Sequence, residues 1–341
     1  MKKKISSILL IGALVMGTLT GCGGSSSNDS AAKSTYETVE LTMTVNGTDI
    51  QIDTRVAQKF AELVEEESGG NVKIHVYPND QLAGGNATKG VEMISEGSVD
   101  LAAYASSVMS TLDEKLLVGT IPWSFDSYTN ARETIDSTGG QYYESVLKDQ
   151  GITFLGSFHN GFRQLTNSKR AVKTPEDLKG LKIRVPGGEV FLGVFRAFGA
   201  DPVAMSWSEV FTAIQQGTID GQENGVNITD TAKMYEVQKY LTLWNYTYEN
   251  DLFVANSAVW DSLEPKTQDM LRDKAVEACN WGRDILEKEE EEIVTKFEDY
   301  GMEVTRLSKE ELAPFKAVVS DLRTSLIKKY GEEACSAFGI K

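Results

Sequence analysis

Two arginines, Arg163 and Arg184, stand where a cation could do chemistry. Arg184 lies in "GLKIRVPGG", near the carboxyl end of a short predicted strand. Ligands of open α/β sheets bind beyond the carboxyl ends of strands, where the strand order reverses. Pro186, Gly187 and Gly188 then turn the chain into an apolar helix over 190–198. Glycines there let a ligand come close to the backbone. A guanidinium at this place offers a planar fork that matches a carboxylate. A strand arginine paired with a neighbouring Asp or Glu would look the same, and position alone leaves both readings open. Arg163 sits in "NGFRQLTNSK", within an alternating strand pattern.

A third feature is "MSWSEVFTAIQQGTIDGQEN". Ser206 and Glu209 form a capping box, which puts Trp207 at the first helical position. Trp207 is then either a flat wall at a loop end or a half-buried anchor. Asn224 can both donate and accept hydrogen bonds, or serve only as a turn residue. Enzyme signatures are missing: there is no P-loop, no G-x-G-x-x-G after a strand, no H-E-x-x-H and no paired C-x-x-C. Of the 2 histidines, His75 reads as a structural or surface residue, and His159 lies in a turn that could border a cleft. No catalytic residue, cofactor or metal is assigned. The acidic run "EKEEEEI" reads as a solvated helix face.

The elements that must position these residues follow from length and periodicity. A chain of 341 residues suits two lobes. Its 41% hydrophobic and 25% charged content is that of a soluble globular protein. A formal charge of −16 argues against nucleic acid, whose binding needs clustered Lys and Arg. Strand patterns at 39–45 and 72–77 flank an amphipathic helix over 53–67. This alternation predicts an α/β fold with a largely parallel sheet. "VKIHVYP" at 72–78 echoes "LKIRVP" at 181–186, and "MISEGSVDLAAY" echoes "AIQQGTIDGQEN", which predicts two lobes of similar build. Residues 253–259 read as a strand, and 264–300 as one helix of roughly 54 Å, long enough to bridge two lobes.

The first residues read as a signal. Lys2, Lys3 and Lys4 precede an apolar run over 5–19, too short to span a bilayer. "LTGC" then resembles a bacterial lipobox, with Cys22 as the lipidated residue. Residues 23–34 form a Gly/Ser-rich tether with a reach on the order of 20 Å. Losing three lysines with the signal leaves a charge of about −19. Cys279 and Cys335 could pair outside the cytoplasm or remain as packed thiols.

"GFRQLTNSKRAVKTPEDLKGLKIRVPG", "MSWSEVFTAIQQGTIDGQEN" and "YEVQKYL" together resemble the DctP family. These are solute-binding proteins of tripartite ATP-independent periplasmic (TRAP) transporters. The similarity covers roughly residues 40–330. It implies a two-lobed periplasmic-binding-protein-like fold of type II, with hinge strands and a long helix spanning both lobes. The lobes expected are 36–161 plus 250–290, and 162–249 plus 291–341, behind a signal at 1–21 and a lipidated tether at 22–35. The family's carboxylate-clamping arginine falls on Arg184, its second ligand arginine on Arg163, its aromatic wall on Trp207 and its amide contact on Asn224. Where the family often has an acidic residue after "QLGG", this chain has Gly85-Asn86-Ala87-Thr88. By position, Asn46, Thr48, Asn86, Tyr104 and Ser107 are the ligand candidates of the first lobe. The implied protein is a non-enzymatic, monomeric lipoprotein on the outer face of the cell membrane or in the periplasm. It takes an organic acid and hands it to TRAP permease subunits. Trp207 with polar neighbours suits a uronate or aldonate; a C4-dicarboxylate or 2-oxo acid is the alternative. A receptor feeding a membrane sensor and a secreted carboxylate-based hydrolase are the alternatives.

Overall fold

A computed structural model describes residues 36–341. The anticipated signal, Cys22 and tether lie outside the described residues. Eleven strands form two sheets. They are β1 (Val39–Val45), β2 (Val72–Tyr77), β3 (Leu101–Ala105), β4 (Ile152–Phe162), β5 (Gln164–Asn167), β6 (Lys182–Val185), β7 (Asp201–Ala204), β8 (Gly221–Asn224), β9 (Tyr240–Leu243), β10 (Tyr248–Asn256) and β11 (Glu303–Arg306). The first sheet has the order β2-β1-β3-β10-β4 and the second β11-β9-β5-β8-β6-β7. Each holds a parallel triplet, β2-β1-β3 and β7-β6-β8. Antiparallel strands join them to the rest: β10 runs against β3 and β4, and β5 against β8 and β9. The sheets are therefore mixed rather than largely parallel.

The triplets explain the sequence echo and correct half of it. Helices Ile52–Ser68 and Ala87–Glu96 connect β1 to β2 and β2 to β3; Gly188–Ala197 and Trp207–Gln215 connect β6 to β7 and β7 to β8. The two units share one strand order, so β1 matches β6, β2 matches β7 and β3 matches β8. The second echo, ending in β3 and β8, pairs true equivalents. The first does not: it pairs β2, an edge strand, with β6, a central one. Similar alternation on two strands of different rank misled the comparison.

Besides the passage from β10 to β11, the chain crosses between sheets at two short links. Arg163 alone separates β4 from β5, and residues 244–247 separate β9 from β10. The crossings touch, with the Arg163 amide donating to the Thr247 carbonyl at 2.9 Å. The strand expected at 253–259 lies earlier, at Tyr248–Asn256, and the helix Ser257–Ser262 takes its place. Asn256 caps that helix, accepting from the amides of Ala258 and Val259. All nine residues of β10 are buried, including Glu249, Asn250 and Asp251. Buried polar residues hid the start of the strand from an apolar pattern.

The helix Pro265–Tyr300 has 36 residues and stops at Gly301, which adopts φ 106°. Its Met270, Leu271, Ala275, Ala278, Cys279 and Leu286 pack into the first sheet's core. Its Ile293, Val294 and Phe297 pack with Val226 and Leu241 near the second. At Gly282 it crosses the helix Ile52–Ser68 so closely that a Cβ would meet Val56 Cγ2 at 2.3 Å. The end of the chain returns to the first half: Phe338 packs edge-on to Tyr142 and Tyr143. Cys279 and Cys335 are both free and buried.

The acidic run is not simply a solvated face. Glu289 takes both arms of Arg55 at 2.9 Å. Glu287 meets His159 Nε2 at 3.1 Å, and Tyr128 donates its hydroxyl to Glu290 at 3.0 Å. His159 is fully buried and borders no cleft. Burial, helped by Arg283 and Arg132, lowers it to about 3, so its ring is neutral. It then accepts from the Tyr248 hydroxyl at Nδ1.

Burial, opposed by the Tyr128 hydrogen bond and aided by Glu291 and Glu287, pushes the Glu290 carboxyl up to about 7 from 4.5. A carboxyl raised on folding binds its proton more tightly in the native state. Its contribution is complete below the unfolded value and fades as pH rises through the folded one. Glu290→Gln, which stays neutral, should therefore gain stability over the parent as pH rises from about 4.5 to about 7. Denaturant unfolding across that range checks this; parallel stability curves for the two proteins would refute it.

Candidate functional site

Arg184 is 4% exposed on β6. Its Nε and Nη2 donate to the Met205 carbonyl at 3.0 and 2.8 Å. Its guanidinium carbon lies 5.3 Å from the Trp207 ring centroid. The capping box of Ser206 and Glu209 fixes that ring by starting the helix Trp207–Gln215. Among the described residues, no carboxylate forms an ion pair with Arg184. Burial, followed by the repulsion of Arg163, pushes it down to about 10, so it remains charged at neutral pH. A buried charge without a partner is costly. Here the cation is held in place by a carbonyl dipole and a π face, with Nη1 unused.

Arg163 is buried beside it under the opposite arrangement. Its Nε and Nη2 hold Glu223 at 2.5 and 2.9 Å, Nη2 also reaches the Glu223 carbonyl at 2.7 Å, and Nη1 holds Glu249. The Tyr246 hydroxyl donates to Glu223 at 2.6 Å, and the Ser107 amide to Glu249 at 2.8 Å. Phe191 lies under the guanidinium at 5.2 Å. Arg163 borders the same cavity, but two carboxylates occupy its fork. Besides the ligand contact expected of it, Arg163 ties β8 and β10 together, and through Glu249 the segment after β3.

The cavity lies between the carboxyl ends of the two triplets. A cleft of about 250 Å³ is lined by Asn46, Ser107, Arg184, Pro186 and Trp207 among others. It narrows to a space of about 30 Å³ that adds Gln51, Asn160, Arg163 and Asn224. Asn46 follows β1 and Ser107 follows β3; Arg184 lies on β6 and Asn224 ends β8. These are the points in each triplet where the strand order reverses, the expected place for a ligand. The rim is bridged where Ser208 donates to the Gly85 carbonyl at 3.0 Å.

Three polar atoms in the walls lack partners among the described residues. Ser107 Oγ and Asn160 Oδ1 are buried and unsatisfied. Asn160 is oriented by its Nδ2, which donates to Asp251 at 3.2 Å. Asn224 accepts from the Gly225 amide through Oδ1 at 3.0 Å, which leaves its Nδ2 free. In two other cavities the lining cations already have carboxylate partners. One of about 740 Å³ has Arg55 and Lys296 already paired with Glu289 and Asp230. One of about 400 Å³ is lined by Glu287, Glu290 and Glu291 with an already paired Arg306.

Six anticipated residues thus meet at one cavity: Arg184, Arg163, Trp207, Asn224, Asn46 and Ser107. Three others do not. Tyr104 is fully buried and donates to Asp80 at 2.6 Å, and Asp80 in turn accepts from Asn46, so Tyr104 works behind the wall. Asn86 is exposed and caps a helix, accepting from the Lys89 amide. The Thr48 hydroxyl is buried outside the cavity. Gln51, Asn160, Glu223 and Glu249 were not anticipated. The one local signal is "GQEN", in which Glu223 neighbours Asn224.

The profile of the bacterial extracellular solute-binding proteins, family 7 (DctP), matches residues 44–329. The chain belongs to this family. It is 34% identical to the 2,3-diketo-L-gulonate-binding periplasmic protein YiaO of Escherichia coli (strain K12) over 248 residues, 73% of this chain and 75% of that one. Among solved structures it resembles a TRAP periplasmic solute-binding protein from Ralstonia eutropha H16 with bound (S)-2-acetolactate. The TM-score is 0.85 at 28% identity, over 88% of this chain and 98% of that one. It also resembles the sugar acid-binding protein DctPAm from Advenella mimigardefordensis in complex with galactonate, with a TM-score of 0.85 at 27% identity, over 89% and 97%. The α/β architecture with two lobes is that of these binding proteins.

The two arginines should respond oppositely to removal in the ligand-free protein. Arg163→Met strands two buried carboxylates and should cost about 3–5 kcal/mol. Arg184→Met removes an unpaired buried cation and should leave stability unchanged or higher. Urea unfolding of both variants checks the contrast. A loss for Arg184→Met as large as that for Arg163→Met would contradict it.

Proposed function

We propose that this protein is a non-enzymatic extracytoplasmic receptor that closes on a small organic acid and clamps its carboxylate with Arg184. The observation that carries this reading is the buried Arg184 cation, which lacks a protein counter-charge inside an interlobe cavity. A carboxylate gives charge-assisted bonds to the unused Nη1 edge, and Trp207 covers one face of the guanidinium. Neutral ligands would leave the cation uncompensated on closure. The related proteins are named for, or hold, organic acids, which supports the same class here.

Family membership supports delivery to a TRAP-type membrane permease. No helix among the described residues is long and apolar enough to cross a membrane. We place the attachment at Cys22 through lipidation, with residues 23–34 as the tether, and the folded part on the outer face of the membrane as a monomer.

A thermal-shift screen against organic acids tests the reading. A true ligand at 100 times its Kd should add about 2.7 kcal/mol. Its methyl ester should add far less, and Arg184→Met should lose at least about 100-fold in affinity, as expected for two charge-assisted hydrogen bonds. An ester that binds as tightly as its acid, or an Arg184→Met variant with unchanged affinity, sinks the proposal.

A further inference from the structure

We infer that Asp80, which does not itself line the cavity, is the positioning residue that fixes the wall amide of Asn46 and through it the affinity for the ligand. The inference rests on the reading of this cavity as the acid site. Three costs meet at Asp80. Its carboxylate is 1% exposed, and among the described residues no cation pairs with it. Burial pushes the carboxyl up, opposed by the hydrogen bonds of Tyr104 and Asn46. Its backbone is left-handed at φ 49°, next to Asn79 at φ 56°, a region that residues with a side chain rarely adopt. It also opens the short helix Gln81–Ala83 without capping it, although Asp is among the preferred capping residues. Burial, a strained backbone and a forgone cap on one residue point to a role beyond folding.

What these costs secure is the placing of Asn46. Asp80 Oδ2 accepts from Asn46 Nδ2, and Oδ1 accepts from the Tyr104 hydroxyl at 2.6 Å. The Thr44 hydroxyl lies 3.2 Å from that of Tyr104. Gly90 makes room for the arrangement: a Cβ there would lie 2.0 Å from the Tyr104 hydroxyl oxygen and 3.1 Å from Asp80 Oδ1. An ionised carboxylate only accepts, so Asn46 can turn only its Nδ2 towards Asp80. Asn46 lines both the cleft and its narrow end, and its Oδ1 is the end left for the cavity. The backbone of Asp80 serves the same face. Its amide donates to the Val45 carbonyl at 3.0 Å, one residue before Asn46, and its carbonyl accepts from the amides of Ala83 and Gly85 at 2.8 and 3.0 Å. Gly85 in turn is the rim residue that Ser208 reaches from the other lobe. Asp80 thus joins the end of β1 to the turn at the rim, and its test must leave that backbone in place.

A double-mutant cycle separates positioning from structural support. Calorimetry with the full folded protein first compares galactonate, glucuronate, succinate and pyruvate, and the tightest binder is carried through the variants. Asp80→Gly removes the carboxylate and suits the left-handed backbone; it should weaken binding about tenfold. Asp80→Asn offers an amide that can meet either end of Asn46, and should lose at least about threefold. Asn46→Ala should weaken binding as well, and in that background either change at position 80 should cost less than about twofold. A residue that merely supports the fold would cost the same in both backgrounds. Circular dichroism and the ligand-free Tm confirm folding; if Asp80→Gly does not fold, Asp80→Asn decides by the same criteria. Two outcomes overturn the inference alone: a position-80 variant that binds as the parent does, or a loss that persists undiminished in the Asn46→Ala background, in either case with binding lost in Arg184→Met. If none of the four acids binds the parent, or if Arg184→Met binds normally, the clamp reading fails and the inference falls with it.

Discussion

A guanidinium buried without a counter-ion is the constraint around which this molecule is arranged. Burial alone pushes Arg184 below its ordinary value, and Arg163 nearby pushes it further. The protein accepts that cost at one place and removes it at the next. Arg163 faces the same desolvation but receives two carboxylates. Removal of water is only tolerable for a charge that finds a partner. Of two adjacent cations, then, one is completed by the fold and the other, in the proposed function, by a ligand. Two neighbouring carboxylates also stop the pair of arginines from acting as one doubly charged patch.

The same ions tie ligand binding to the hinge. Arg163 is the one residue between β4 and β5, and its partners come from β8 and β10. Glu249 reaches on to the Ser107 amide after β3. Residues that set the local charge at the cleft are therefore those that hold the two crossing strands together. The duplicated strand order completes the arrangement. Each triplet presents its reversal point to the other, so Asn46 and Ser107 face Arg184 and Asn224 across the gap. Under the proposed function, a ligand that touches both walls is rewarded only when the lobes are together, which would give closure its driving force.

Arg184 stood out because its position obeys a local rule, a cation near the carboxyl end of a strand followed by a Pro-Gly-Gly turn, but that rule alone left its role open. Trp207 was legible because a capping box numbers its helix. The long helix was legible at both ends, from Pro265 and Gly301. What the sequence concealed were relations between distant residues. Arg163 looks like Arg184 in a linear reading, and what separates them are Glu223 and Glu249, 60 and 86 residues away. Tyr104 has the polarity of a ligand contact, yet Asp80 claims its hydroxyl. Strand β10 was misplaced because its first residues are polar and buried together, which an apolar periodicity does not register. Resemblance to the family supplied the roles; only the geometry separated the occupied arginine from the free one.

The whole-molecule charge of −16 opposes an anionic ligand at long range, but distance settles the matter. At physiological salt the screening length is about 8 Å, so most surface carboxylates are not felt in the cleft. Glu287, Glu289, Glu290 and Glu291 act locally on His159, Arg55, Tyr128 and Arg306 rather than on the cavity. The charges that count are those in and just behind the walls: Arg163 with Glu223 and Glu249, Asp251 behind Asn160, and Arg184. The contacts of Arg184 explain why that position needs arginine. Two N–H groups of its fork are spent on the Met205 carbonyl, and Trp207 takes a face. A planar cation can do both and still offer an edge to a carboxylate. A lysine ammonium has neither the face nor the fixed fork, so it would have to give up its anchor to reach the ligand.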